Sequence, residues 1–176
     1  MLVAAICAIM GAVSDVRTHR IPNWLTYAGI ALALAARFAV GGWHGLEQGV
    51  GGILLNGGIF FAFFLIHGMG GGDVKLMAAV SAWVGFDYAV PLMIATALAG
   101  GVLAVFYMIF HKQIANTLRN LAVLLRLHLI FRFKPQSEFS PQDSKTMRLP
   151  YGLAIATGTV YLLVSVIQNS GVPYGH

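Results

Sequence analysis

Long apolar segments separated by short polar stretches dominate the chain. Six of them span residues 2–14, 22–40, 49–66, 74–86, 89–110 and 149–167. Most approach the ~20 residues that an α-helix needs to cross the hydrocarbon core of a bilayer, although the first and fourth are shorter. The pattern predicts an all-α, polytopic membrane protein with six transmembrane helices.

Composition supports a membrane protein made of one domain, residues 1–176. The chain is 58% hydrophobic and only 10% charged, whereas about 25% of the residues in soluble domains are charged. The net charge of +5 does not indicate a nucleic-acid partner, because the basic residues gather in a few short stretches. The expected partner is the lipid bilayer. The single cysteine, Cys7, excludes an intrachain disulfide and a zinc site built on several thiolates, and we expect no metal or cofactor.

The basic residues predict the orientation of the segments. Arg17 and Arg20 follow the first segment, and Lys75 follows the third. Seven more lie between the fifth and sixth: Lys112, Arg119, Arg126, Arg132, Lys134, Lys145 and Arg148. The junctions on the opposite side contain neither Lys nor Arg. By the positive-inside rule, the basic junctions are cytoplasmic and both termini lie outside. Arg37, near the far end of the second segment, is expected to snorkel outward.

The basic loop at 111–148 is predicted to contain an amphipathic helix at the membrane interface. Its apolar positions within 111–133 fall on one helical face: Ile114, Leu118, Leu121, Leu125 and Leu129. A seventh membrane span is disfavoured, because Arg119 and Arg126 would then lie deep in hydrocarbon. We therefore expect the loop to lie on the cytoplasmic surface, between the fifth and sixth spans.

Two aspartates stand at the ends of the two short segments. Asp15 follows the first segment, and Asp73 precedes the fourth. A helix rises 1.5 Å per residue, so each short segment covers ~20 Å, and both acids should stop at a similar depth near the cytoplasmic boundary. Two neighbouring carboxylates share one proton, so one can act as a base toward water while the other polarises a carbonyl. The pair is therefore a candidate catalytic dyad.

Other interpretations of the two acids remain open at this stage. Asp15 could form an interfacial salt bridge with Arg17, Arg20 or Lys75, and Asp73 could cap the helix that follows it. The pair could also serve a small proton- or cation-coupled transporter, although the chain shows no inverted repeat. A third alternative is a non-catalytic subunit of a pilus or secretion machine.

Three stretches, taken together and in order, resemble the type IV prepilin peptidases, the Gly-x-Gly-Asp class of intramembrane aspartyl proteases. They read DVRTHRIPN at 15–23, GMGGGDVKL at 68–76 and LPYGLAIATG at 149–158. The resemblance implies that Asp15 and Asp73 are the catalytic residues. It also implies cleavage of the leader from prepilin-like substrates at the cytoplasmic face of the bacterial inner membrane, with pilus or secretion assembly machinery as a further partner.

The resemblance is to the short CpaA/TadV-like members, which serve Flp or tight-adherence pili. Larger members carry an N-terminal region with paired cysteines and also methylate the new N-terminus. This chain has one cysteine and begins directly in its first apolar segment. We therefore expect cleavage of Flp-type precursors without N-methylation.

Two glycines and a lysine of the second stretch are expected to shape the site. Gly70 and Gly72 would let an extended substrate backbone lie close to Asp73. Lys75 would either tune an aspartate or snorkel to the headgroups, and we favour snorkelling.

Residues of the other two stretches are also expected at the site. Asn23 would either cap the second helix or orient Asp15. Pro150 and Gly152 are expected to shape the beginning of the sixth segment.

Overall fold

A computed structural model of the protein describes residues 1–66, 68–110 and 151–170. All regular structure in these residues is helical, which confirms the predicted all-α class. The α-helices are α1 (Leu2–Thr18), α2 (Asn23–Gly52), α3 (Gly58–Leu65), α4 (Gly71–Val84), α5 (Ala89–Phe110) and α6 (Tyr151–Ser170). A π-helix, Ile53–Gly57, joins α2 to α3, and a 3₁₀ turn, Phe86–Tyr88, precedes α5.

The chain divides into two compact units. The first comprises Met1–Gly101 and Pro150–His176, and the second comprises Val102–Leu149. The described part of the second unit is the last part of α5, residues 102–110. The predicted interfacial helix falls outside the described residues, and the side-chain contacts analysed below belong to the first unit.

Three helical stretches of the described residues are long and apolar enough to cross a membrane: Asn23–Leu65, Phe86–Tyr107 and Tyr151–Asn169. With 17 and 14 residues, α1 and α4 are shorter than the ~20 residues of a full span. The protein is thus a membrane protein whose described residues form only helices, while the count of six crossings stays a prediction.

The stretch Asn23–Leu65 reverses direction at Gly42. Its 43 residues would extend ~64 Å as one straight helix, about twice the thickness of the hydrocarbon. The backbone of Gly42 has φ 58° and ψ −142°, a conformation that glycine adopts more readily than other residues. Beyond it the chain folds back, so that Gly49 contacts the side chains of Leu34 and Arg37. We call residues 23–41 the first arm of α2 and residues 43–52 its second arm.

Helix α4 lies at the centre of the first unit, with most of its residues buried. It packs against α1, α2, the π-helix, α3 and α6. The contacts repeatedly involve glycine on the neighbouring helix: Gly11 against Leu76, Gly29 against Ala79, Gly52 against Ser81 and Gly57 against Ala78. Small residues at these positions let the helix backbones approach closely, as is typical of helix packing in lipid.

The π-helix directs a buried polar side chain toward α4. Asn56 is completely buried, and its Nδ2 donates to Ser81 Oγ at 2.9 Å and to the Ala89 carbonyl at 3.0 Å. A buried amide is costly without such partners. The two bonds therefore connect the π-helix to α4 and to the beginning of α5.

We expect Gly52→Ala to destabilise the protein by about 1–3 kcal/mol. A Cβ at this position would lie 2.5 Å from the Ser81 carbonyl oxygen, and a backbone atom of a packed helix cannot move aside easily. The control is Gly58→Ala in α3, where a Cβ would meet nothing within 4 Å. Thermal unfolding in detergent, followed by circular dichroism, measures both. Equal effects of the two substitutions would contradict the close packing.

Candidate active site

The end of α1 positions Asp15, which is partly buried in the last helical turn. The helix stops at Thr18, and His19 follows in the left-handed conformation with φ 51°. The hydroxyls of Ser14 and Thr18 both donate to the Arg20 carbonyl, at 2.9 and 3.1 Å. These bonds hold the chain in a sharp turn directly after Asp15.

The first turn of α4 positions Asp73. The helix begins at Gly71, and Gly70 is its N-cap residue, so the alternative in which Asp73 caps a helix starting at Val74 is wrong. The backbone N–H of Asp73 donates to the Gly70 carbonyl at 3.1 Å. The side chain is only 9% exposed, and the positive end of the helix dipole favours a carboxylate in this turn.

The two aspartates lie at the same end of the helix pair formed by α1 and α4. These helices run antiparallel, because Gly11 packs against Leu76 while Gly72 packs against Ile21, which follows α1. Within the described part of the chain, the contact between an acidic and a basic side chain is the one between His44 and Glu47, at 3.9 Å, and it involves neither aspartate of the pair. In the described residues, Asp15 therefore forms no salt bridge with Arg17, Arg20 or Lys75.

The beginning of α6 completes the surroundings of Asp15. The backbone N–H of Gly152 donates to Asp15 Oδ2 at 3.0 Å. A Cβ on Gly152 would lie 3.0 Å from both Cβ and Oδ2 of Asp15, and 3.1 Å from Cα of Ala12. The position favours glycine, because a Cβ would fit only if Asp15 or the α1 backbone moved by a few tenths of an ångström. Pro150 lies outside the described residues.

The glycines before Asp73 face three different neighbours. A Cβ on Gly70 would lie 3.0 Å from Asp73 Oδ2, and one on Gly72 would lie 3.4 Å from Cβ of Ile21. Gly71 lies against the ring of Phe64. Gly70 is exposed, so an open stretch of backbone borders the buried carboxylate on this side.

Lys75 and Asn23 connect the first turns of α4 and α2. Lys75 Nζ donates to Asn23 Oδ1 at 3.0 Å and lies 5.3 Å from the ring centroid of Tyr27. Asn23 thus binds Lys75 rather than Asp15, and the N-cap of α2 is Pro22. Sequence reasoning missed Tyr27, although its spacing of four residues from Asn23 places both on one helical face.

The sequence profile of the type IV leader peptidase family matches residues 2–105. The chain belongs to the type IV leader peptidase family. The match covers more than half of the chain and includes both Asp15 and Asp73, which confirms the family resemblance found in the sequence. The protein is therefore a membrane protease of the leader peptidase type in general terms. No curated protein and no solved structure matches the chain.

Gly152 lies outside residues 2–105, which match the leader peptidase family, yet it contacts Asp15 in the candidate active site. We expect Gly152→Ala to lower cleavage of a leader-bearing peptide by ~10- to 100-fold, because the added methyl group displaces the Asp15 carboxylate. The control is Gly101→Ala, where a Cβ would meet nothing within 4 Å. Initial cleavage rates and thermal unfolding are measured for both. A Gly152→Ala protein that cleaves as fast as the parent would show that Asp15 tolerates displacement.

Proposed function

We propose that the protein is a membrane aspartyl endopeptidase that removes the leader peptide from type IV prepilin-like precursors of the Flp type. One observation carries the proposal. The antiparallel packing of α1 and α4 puts Asp15, in the last turn of α1, and Asp73, in the first turn of α4, at the same end of the helix pair, although they are 58 positions apart in the sequence. Their nearest basic residues in the chain, Arg17 and Lys75, form no ion pair with either acid in the described structure. Two such acids need a proton between them, which is the state that aspartyl catalysis requires.

The chemistry follows from one proton shared by the pair. The ionised carboxylate takes a proton from a water molecule as the water oxygen attacks the scissile carbonyl carbon. The protonated carboxyl gives its proton to the carbonyl oxygen, which forms a tetrahedral diol. The C–N bond then breaks as the first acid gives its proton to the leaving nitrogen and the second takes one back from the diol. Both acids return to their starting states without a covalent intermediate.

The surroundings of the pair fit these requirements. The Gly152 N–H occupies one oxygen of Asp15 and so limits rotation of the carboxylate. Burial of Asp73 keeps bulk water from surrounding it, and electrostatic interactions are stronger in such a site than in water. The Asp15 carboxylate is thereby restrained, and Asp73 is shielded from bulk water, before substrate arrives.

The exposed backbone at Gly70 offers a route for the substrate. A side chain here would begin 3.0 Å from Asp73 Oδ2, so glycine leaves that space for an extended peptide. Gly72 packs on Ile21, and Asn23 binds Lys75. These two contacts hold the first turns of α4 against the turn after α1 and the beginning of α2.

The proposed setting is the bacterial inner membrane, with cleavage at its cytoplasmic face. This side follows from the distribution of basic residues, because Arg17, Arg20 and Lys75 flank the two acids in the sequence. The proposed partners are prepilin-like precursors and the pilus or secretion machinery that assembles them.

We expect Asp15→Asn and Asp73→Asn each to reduce cleavage of a purified prepilin by about 1,000-fold or more, because each amide removes a group that must both hold and release a proton. The control is Glu47→Gln, which makes the same chemical change at an exposed residue. Cleavage is followed by gel mobility and mass spectrometry, and folding by circular dichroism.

Persisting cleavage in either folded aspartate variant would rule out the pair as the catalytic dyad. Movement of protons or cations into proteoliposomes, lost in the same variants, would favour the transporter alternative instead. The two assays use the same purified proteins, so they separate the two functions directly.

A further inference from the structure

Arg37 is the basic residue of the first arm of α2, and it binds the far end of α4. Its Nε donates to the Ala82 carbonyl at 2.8 Å, and its Nη2 donates to the Trp83 carbonyl at 2.9 Å. The last carbonyls of a helix have no partners within the helix. The guanidinium therefore binds two neighbouring carbonyls that would otherwise be left unsatisfied, instead of snorkelling outward as the sequence predicted.

Three glycines fit around Arg37. A Cβ on Gly85 would collide with the guanidinium, a Cβ on Gly45 would collide with the Arg37 carbonyl, and a Cβ on Gly49 would lie 3.0 Å from Cδ. Gly85 has φ +86°, which strongly favours glycine. We call these three residues the glycine socket. Gly85 and Gly49 leave space for the Arg37 side chain, and Gly45 lets the second arm approach the Arg37 carbonyl.

Helix α4 transmits this attachment to the candidate active site. Asp73 and Trp83 belong to the same unbroken helix and are ten residues apart, which corresponds to ~15 Å along the axis. A movement of the helix along its axis therefore also moves Asp73. Asp15 belongs to a different helix, α1, so a movement of α4 relative to α1 changes the separation of the two acids.

We propose that Arg37 is a positioning residue that sets the location of Asp73 relative to Asp15 by anchoring the end of α4. The inference rests on the proposed peptidase function. The planar guanidinium donates in two fixed directions, whereas the lysine ammonium is a compact charge. Arg37→Lys should therefore retain part of the effect, and Arg37→Met should lose it.

The position of α4 can be measured without catalysis. A Cβ on Gly72 would lie 3.4 Å from Cβ of Ile21, which is close to the Cβ···Cβ distance of disulfides. The pair Ile21→Cys and Gly72→Cys, placed in a Cys7→Ala background, reports whether the beginning of α4 remains beside the turn after α1. The rate of disulfide formation with a mild oxidant is followed by gel mobility after proteolysis.

In the cysteine-pair background, we expect Arg37→Met to slow disulfide formation by ~10-fold or more, because a shifted helix takes the two Cβ atoms out of bonding range. In the parent sequence, the same substitution should lower kcat for prepilin cleavage by ~10- to 100-fold with little change in KM, since the substrate still binds while the two acids are misaligned. Arg37→Lys should lie between. The control is His44→Gln, an exposed residue that should change neither rate.

Unchanged disulfide formation in Arg37→Met, whatever the cleavage rate, would overturn the positioning role. Unchanged kcat with slowed disulfide formation would also overturn it. If no protein, including the parent, cleaves prepilin while disulfide formation still depends on Arg37, the anchoring holds and the peptidase proposal fails. Should Arg37→Met not fold, Arg37→Lys and Gly85→Ala, which crowds the same guanidinium, decide by the same two measurements.

Discussion

Close approach of helix backbones around α4 is the constraint on which the rest of the structure depends. Helices in lipid gain little from hydrophobic burial against each other, so van der Waals contact between small residues supplies much of their association. Helix α4 has 14 residues and carries in its first turn Asp73, an acid that is costly to expose to lipid. Glycines on α1 and α2 let the neighbouring helices surround it, and this enclosure keeps Asp73 buried beside Asp15.

Features that depend on local sequence were predicted well. The fifth apolar segment, 89–110, coincides with α5, because the ends of a long uninterrupted apolar run mark the ends of the helix. The lengths of the two short segments predict a similar membrane depth for Asp15 and Asp73, since the helical rise is the same in both. The start of α4 was placed three residues too late, because consecutive glycines normally disfavour a helix.

Features that depend on how helices face each other could not be predicted. Gly152 was expected at the site, but its hydrogen bond to Asp15 spans 137 positions of sequence, and no local pattern indicates that partner. The bond between Asn23 and Lys75, and the binding of Arg37 to α4, likewise depend on the rotation of each helix about its axis. The side chains at these positions permit several partners, and only the assembled bundle selects one.

The reversal at Gly42 has a consequence for the order of folding. It closes a short loop, so Gly45 and Gly49 reach Arg37 through contacts between residues that are 8 and 12 positions apart. Such loops close rapidly and at low entropic cost. The ribosome releases these residues before α4. The two arms of α2 can therefore pack together while α4 is still being synthesised. The packing of α4 against them is then the step that brings Asp73 toward Asp15.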